Sequence, residues 1–137
     1  MSTSETITRT DLTNILNEVL PNTSVDYIVE QGTSGIWTYR KWNSGIAECW
    51  GTYSYAITGT TQWGSVYYTD IKKVPFPTSL FTSTPTCSVT AVSSGVQGWG
   101  ASNARSTADI DVFLVRPTTA SSGAEAFLSI VAKGKWK

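Results

Sequence analysis

The amino-acid sequence predicts a mainly β fold, an antiparallel β-sandwich of about seven or more strands with a short N-terminal α-helix. Three observations support this prediction. After Pro21 the chain consists of short runs rich in Val, Ile, Thr, Tyr and Trp, the residue types that favour strands. Turn clusters such as NSG and TTASSG separate these runs, which is typical of sandwiches and barrels. The length of 137 residues suits one domain.

Residues 10–20 are predicted to form the helix. Their apolar side chains recur at the spacing of a single helix face: Leu12, Ile15, Leu16, Val19 and Leu20. Thr10 is expected to cap the start of the helix, and Pro21 to end it. A helix of about eleven residues is not stable alone, so it packs either on the domain core or on copies of itself at an oligomer axis. We therefore divide the chain into an N-terminal segment, residues 1–24, and a β-sandwich domain, residues 25–137.

Side-chain alternation and the intervening turn clusters predict seven strands: 25–31, 35–42, 46–56, 65–73, 86–93, 107–116 and 124–132. Two of these strands carry large apolar residues on both faces. Phe113 and Val115 share the face opposite Ile110. Val131, in the last strand, lies opposite Leu128. Because a monomer usually keeps the solvent face of a sheet polar, the pattern predicts a second buried surface between subunits.

The segment GIWTYRKWNSGIAECWG, residues 35–51, is predicted to form a β-hairpin and holds three of the six tryptophans. We predict that NSG is a three-residue loop with Gly45 in the left-handed conformation. This loop places Arg40 directly across from Glu48, a stabilising arrangement of opposite charges. A two-residue loop would instead pair Lys41 with Glu48, so the register is open at this point.

The two faces of this hairpin differ in the sizes of their side chains. One face carries Trp37, Tyr39 and Lys41 together with the small residues Ala47 and Cys49. Small residues leave room for the rings to pack over them, so this face is predicted to point into the core. The opposite face carries Ile36, Arg40, Trp42, Glu48 and Trp50. Its two tryptophans require cover from a neighbouring subunit or from a ligand.

Composition excludes several classes of function. Ten basic and ten acidic residues balance, so no strong field attracts nucleic acid or a membrane surface, and we predict neither partner. The chain has no histidine, which removes the commonest zinc ligand and the usual base of Ser and Cys nucleophiles. We therefore predict no metal, no cofactor and no enzymatic activity.

The cellular setting is predicted from the N-terminal sequence and the cysteines. The start MSTSETITRTDL lacks the hydrophobic segment of a signal peptide, and no apolar run is long enough to cross a bilayer. We therefore expect synthesis and folding in a cytoplasm. In that compartment free thiols are favoured for Cys49 and Cys87, with a single disulfide as the alternative.

The stretch VDYIVEQGTSGIWTYRKWNSGIAECWGTY, followed by PFPTSLFTSTPTCSVT and a closing β-run, resembles the C-terminal tip domain of bacteriophage and prophage tail fibres and receptor-binding proteins. The resemblance covers about residue 25 to the end. Its most specific part is the hairpin, whose motif residues are Trp37, Tyr39, Arg40, Trp42, Glu48, Cys49 and Trp50. The second motif has Cys87 where valine is more usual in that group.

This resemblance implies a β-sandwich that assembles as a homotrimer with other virion proteins and attaches the virion to its bacterial host. Trimerisation would cover the outward apolar residues and make the N-terminal helix a three-helix plug. We expect a virion protein, made in the host cytoplasm, that binds a saccharide of the host surface. A purely structural trimeric virion or baseplate component is the main alternative. A glycan-cleaving enzyme and a monomeric lectin are two others.

The candidate ligand-binding residues are aromatic side chains outside the hairpin. Trp63 and Trp99 fall in predicted turns, where they have no evident packing role and are suited to stacking on sugar rings. The expected hydrogen-bonding neighbours are Tyr67, Tyr68, Asn103 and Arg105. The alternative interpretation is that both tryptophans pack at a subunit interface.

Two groups of charged residues are candidate chemical sites. Asp109 and Asp111 share one strand face, but a glycosidase pair normally comes from different strands and a calcium site needs more oxygens. We interpret both as solvated strand residues. Lys72 and Lys73 precede a proline-rich segment and are interpreted as charges that deter edge-to-edge pairing of the sheet.

Overall fold

The computed structural model describes residues 8–19, 25–92 and 97–137. Within them the secondary structure consists of α1 (Arg9–Val19), β1 (Ile28–Ser34), β2 (Trp37–Trp42), β3 (Ile46–Ala56), β4 (Thr60–Trp63), β5 (Val66–Thr69), β6 (Lys72–Pro75), β7 (Thr86–Ala91), β8 (Trp99–Arg105), β9 (Asp109–Arg116) and β10 (Glu125–Lys135). The predicted fold class, mainly antiparallel β with one short N-terminal helix, is confirmed.

The helix begins one residue earlier than predicted, because Thr8 and not Thr10 caps it. The Thr8 hydroxyl accepts the amide of Asp11 at 3.1 Å, and the Thr8 amide donates to the Asp11 carboxylate at 3.0 Å. This reciprocal pair is a capping box, and its hydrogen bonds lower the pKa of Asp11. Leu12 is 52% exposed. The predicted stop at Pro21 and the remaining side chains of the apolar stripe lie outside the described part of the chain.

The strands form two sheets whose order could not be deduced from alternation. The first sheet has the order β1-β2-β3-β10-β7, and β3 and β10 pair along eleven residues. In the second sheet β9 is central. It pairs with β8 on one side, and with β5 and β6 on the other, and β4 extends the sheet beyond β5. Every pairing is antiparallel among the described strands.

Several predicted strand boundaries are wrong. The segment predicted as one strand at 65–73 forms two strands, β5 and β6. The strands β4 and β8 were not predicted at all, so Trp63 and Trp99 lie in strands instead of turns. Both missed strands are edge strands with small or polar residues, which gives little alternation of apolar side chains. The first strand begins at Ile28, and the predicted end of the strand at residue 93 lies outside the described residues.

The core lies between the two sheets. Seven of its fully buried apolar side chains come from the inward faces of β9 and β10: Ile110, Val112, Leu114, Ala126, Leu128, Ile130 and Ala132. A buried hydrogen-bond chain joins the sheets. The Tyr55 hydroxyl lies 2.6 Å from the Thr69 hydroxyl, which in turn accepts the amide of Leu114 at 3.0 Å. Because all three groups are buried and paired, this link fixes β3, β5 and β9 relative to one another.

The predicted three-residue hairpin loop and its register are confirmed. Gly45 has a φ of 100°, and its amide donates to the carbonyl of Trp42 at 2.9 Å. Arg40 pairs with Glu48 in the register, as predicted. Each charge, however, takes a tryptophan as its partner. The Arg40 guanidinium lies 5.1 Å from the ring centroid of Trp50, and Glu48 accepts the indole N–H of Trp42 at 3.2 Å.

The predicted core face of the hairpin is also confirmed. Trp37 is 3% exposed, and Ala47 and Cys49 are fully buried. The indole N–H of Trp37 donates to the carbonyl of Pro75 at 2.7 Å, which satisfies its one polar atom. The tryptophans of the opposite face, Trp42 and Trp50, are half-buried under the charged side chains of their own hairpin.

Cys49 and Cys87 are free thiols. In the register of the sheet both pair with Ala132 from opposite sides. They are therefore separated by two strand spacings, about 9.5 Å, which exceeds the roughly 7 Å limit for the Cα atoms of a disulfide. The geometry of this sheet excludes the disulfide considered from the sequence.

We predict that Cys49 does not react with a thiol reagent in the folded protein. Burial raises its pKa to about 12, so at pH 8 only about one thiol in ten thousand is the reactive thiolate. A raised folded pKa leaves the free energy of unfolding constant below the unfolded pKa and lowers it as the pH rises towards 12.

Ellman's reagent provides the measurement. We expect one slow thiol from the half-buried Cys87 in the native protein and two thiols after denaturation. The Cys87→Ala variant should show none when folded, whereas Cys49→Ala should keep the slow reaction. Equal reaction of both thiols in the native protein would contradict this assignment.

We also predict that Gly51→Ala is destabilising. A methyl group at this position would overlap the backbone carbonyl oxygen of Ile36, which cannot move without shifting the turn between β1 and β2. Overpacking of this kind costs about 1–3 kcal/mol. Gly59→Ala is the matched control, since nothing lies within 4 Å of the added group. Urea unfolding should separate the two variants, and equal midpoints would refute the close approach.

Candidate functional site

The outer face of the second sheet collects most of the aromatic residues outside the hairpin. Tyr68 and Trp99 both pair with Val115, from opposite sides of β9, and therefore share its outward face. Trp63 pairs with Val66, two residues from Tyr68, and lies on the same face. We call the surface formed by Trp63, Tyr68, Ile71, Trp99, Asn103 and Phe113 the aromatic face.

This face contains an open cavity of about 250 Å³, lined by Trp63, Tyr68, Ile71, Asn103 and Phe113. Tyr68 and Phe113 form its floor through an edge-to-face contact, with ring centroids 5.9 Å apart at 68°. Trp63 is 62% exposed and forms one wall. The cavity thus combines apolar rings with one side-chain amide, and none of its lining residues is charged.

A β-bulge brings Asn103 to the cavity. The register of β8 on β9 shifts by one residue around Asn103, and a bulge redirects the side chains that follow it. In a regular strand Trp99 and Arg105 would share a face. The bulge instead pairs Arg105 with the inward-facing Ile110, and its Nε–H donates to the carbonyl of Pro85 at 3.0 Å. Arg105, one of the expected hydrogen-bonding neighbours, therefore does not line this cavity.

The remaining candidates divide between the two faces. Trp63, Tyr68 and Asn103 line the cavity. Trp99 is 51% exposed on the same face, beyond Val115. Tyr67 alternates to the opposite side of the strand, where it pairs with Arg116, so it does not belong to this site. The predicted site omitted Phe113 and Ile71, although the outward position of Phe113 in its strand was a usable signal.

Phe113 and Val115 were expected to mark a subunit interface. Both are buried within this chain, under Tyr68 and its neighbours. Trp63 and Trp99, in the edge strands β4 and β8, remain exposed. The subunit interface inferred from this face of β9 is therefore not required.

The hairpin that carries Trp63 is held at its base by Asp70. The amide and hydroxyl of Thr58 donate to the two oxygens of the Asp70 carboxylate, at 2.9 and 2.6 Å. These hydrogen bonds lower the pKa of Asp70. Beside them lies a second open cavity, of about 440 Å³, which shares Tyr68 and Ile71 with the first. The two cavities therefore adjoin along the base of the hairpin.

The aspartates of β9 are ion-paired. Lys73 Nζ lies 3.9 Å from the Asp109 carboxylate and 3.7 Å from that of Asp111, and both aspartates are half-buried. Both were expected from the sequence to be free solvated residues. The ion pairs and partial burial of the two aspartates differ from that expectation. Lys73 is on the edge strand β6, where an edge charge was predicted. Among the residues described, no three His, Cys, Asp or Glu side chains are grouped as a metal site.

A second exposed apolar surface lies on the outer face of the first sheet. Val131 is 51% exposed and pairs with Trp50 on one side and Ser88 on the other. Thr52 and Ser129 pair in the next outward row, with their hydroxyls 3.4 Å apart. In the described part of the chain, no helix is both long and apolar enough to span a membrane.

No family model and no curated protein matches the sequence. Solved structures do match the fold. A structure of an N-truncated R2-type pyocin tail fibre aligns with a TM-score of 0.53 and 14% identity, over 87% of this chain and 41% of that chain. A Pseudomonas aeruginosa R2 pyocin fibre aligns over 95% and 30%, with a TM-score of 0.53 and 13% identity. An N-truncated R1-type pyocin tail fibre aligns over 89% and 94%, with a TM-score of 0.51 and 12% identity.

The chain spans less than half the length of the two R2-type fibre chains. At these identities the likeness establishes the fold. The resemblance to tail-fibre tip domains inferred from the hairpin is thus confirmed at the level of the fold, which this chain shares with the C-terminal region of pyocin tail fibres.

Proposed function

We propose that this protein is a non-enzymatic attachment domain of a tail-fibre-like virion component and binds a saccharide of the bacterial surface through the aromatic face. The observation that carries the proposal is the exposure of Trp63 and Trp99 on one face, beside the amide of Asn103. Large aromatic side chains are normally buried, so a cluster of exposed rings around a cavity marks a binding surface. Sugar rings suit it, since their C–H faces stack on indoles while their hydroxyls bond to an amide.

We further propose that the protein acts as a homotrimer in a virion, after synthesis in the host cytoplasm, with residues 1–24 as a plug of three helices and residues 25–137 as the tip. Exposed Val131 on the first sheet and exposed Leu12 on the helix support a contact between copies. The fold shared with pyocin tail fibres is compatible with such an assembly.

A purely structural trimeric component is the second candidate. It is favoured by the same exposure of Trp63 and Trp99, because rings that no ligand covers could instead meet a neighbouring subunit. The two candidates differ in which exposed surface holds the copies together.

Trp63→Ala should weaken binding to host cells or isolated envelope glycan by about tenfold or more, equivalent to about 1.4 kcal/mol of lost stacking. Val29→Ala is the matched control, because Val29 is exposed on the edge strand β1 of the first sheet, outside both the aromatic face and the proposed subunit contact at Val131. Pull-down on cells and titration calorimetry give the measurement, with thermal unfolding to verify that both variants fold. Wild-type affinity in Trp63→Ala would refute the proposed site.

The mass in solution should be three times the chain mass of 14.8 kDa and should remain so on dilution. Val131→Lys should lower it towards one chain, since a buried unpaired charge is strongly unfavourable at an interface. Trp63→Lys, with the same new charge on the aromatic face, should leave the trimer intact. Light scattering distinguishes these cases. If only Trp63→Lys dissociates the protein, the aromatic face is the subunit contact and the structural alternative is favoured.

A further inference from the structure

We propose that the aromatic face selects an uncharged oligosaccharide, with one sugar over Trp63 and the next in the adjoining cavity beside Asp70. This inference rests on the proposed function, and it names the ligand class of that same site. It predicts that sugars bearing carboxylate or phosphate groups are disfavoured.

Among the described residues, each cation near the site is paired or bonded. Between residues 58 and 116 the chain contains four cations: Lys72, Lys73, Arg105 and Arg116. Lys73 is held between Asp109 and Asp111. Lys72 lies 5.6 Å from the ring centroid of Tyr55.

The two arginines bind backbone carbonyls away from the cavity. Arg105 donates to Pro85 at 3.0 Å, and Arg116 donates to Gln97 at 2.9 Å. Both follow the inward alternation of their strands. Recognition of an anionic sugar normally uses an arginine or lysine in direct contact. Here the two arginines are bound to carbonyls and each lysine lies near a carboxylate.

The charged residues at the borders of the site are mainly acidic. Lys73 with Asp109 and Asp111 sums to a charge of −1, and Asp111 is two residues from the cavity residue Phe113 on the same face. On the other border Asp70 lines the second cavity, the Thr58 hydrogen bonds keep its carboxylate ionised, and the nearby Lys72 offsets its charge. Like charges at this range oppose binding of an anion.

The second cavity offers hydrogen-bonding groups to a ligand. Its lining is mainly hydroxyl groups, from Thr58, Thr60 and Thr61, together with the Asp70 carboxylate. Hydroxyls and a carboxylate are acceptors for the hydroxyl groups of a neutral sugar. Because this cavity adjoins the first through Tyr68 and Ile71, one glycan chain is able to contact both.

The test compares one polysaccharide in two forms. Soluble envelope polysaccharide from a bacterium that the protein binds is titrated before and after reduction of its carboxyl groups and removal of its phosphate. We expect the neutralised form to bind as well as the native form or better. The dissociation constant should also change less than about twofold between about 20 and 200 mM salt, because screening affects only charged contacts.

Two variants sharpen the result. Thr61→Ala should weaken binding of an oligosaccharide but leave a monosaccharide unaffected, since only the longer ligand contacts the second cavity. Asn103→Lys, which adds a cation at the first cavity, should improve binding of the native acidic form relative to the neutralised one. Lys73→Met is the control and should leave binding of the neutralised form unchanged.

The outcomes separate this inference from the proposed function. If binding depends on Trp63 but is lost on neutralisation and falls steeply with salt, the glycan site stands and the neutral class is overturned. If neither form binds, or if binding is indifferent to Trp63→Ala, the glycan site itself fails and this inference fails with it. Trp63-dependent, salt-insensitive binding of the neutralised form supports both.

Discussion

The second sheet depends on the backbone pairing of β9. From Val112 to Val115 this strand is buried on both faces, so its N–H and C=O groups there need partners. β8 occupies one side along most of its length, whereas the other side is shared by two short strands. β5 pairs with its C-terminal end, and β6 pairs with its N-terminal half. The chain must therefore break between Thr69 and Lys72, and that break is where the two cavities meet.

The aromatic residues of the outer face extend across the second sheet from β4 to β8. Tyr68 covers Phe113, and Val115 lies between Tyr68 and Trp99, which are about two strand spacings apart. The sheet therefore completes its own hydrophobic cover within one chain. Trp63 and Trp99, in the edge strands β4 and β8, remain more than half exposed. A side chain that contributes little to the fold of its own chain is more readily explained by binding.

The sequence was most informative where alternation and turn chemistry agree. In the hairpin the glycine of NSG favoured a three-residue loop and the small residues of one face indicated its orientation, and both are observed. The register was open between two loop lengths, and the three-residue alternative is the one observed. The partners of Arg40 and Glu48 were not predicted, because the energy of stacking over an indole is similar to that of an exposed ion pair. Such close competition cannot be resolved from residue types alone.

The site was harder to predict than the fold, for a physical reason that Asn103 illustrates. A bulge is a property of strand pairing, and no residue type announces it. One extra residue moved Arg105 from the ligand face to the core side, and it therefore changed the expected charge of the site. Likewise Tyr67 and Tyr68 are neighbours in sequence but point to opposite faces, once the strand that contains them is known.

The two outer faces suit different partners because their shapes differ. The outer face of the first sheet presents exposed Val131 among serine and threonine side chains, with the charges of the hairpin already placed over its tryptophans. A broad surface of this kind suits contact with another broad surface, such as a second copy of the chain. The second sheet instead offers two adjoining cavities beside exposed rings. Concave sites favour small ligands, because they surround more of the ligand surface. Assigning assembly to the first sheet and ligand binding to the second therefore uses each surface for the partner that its shape can bury.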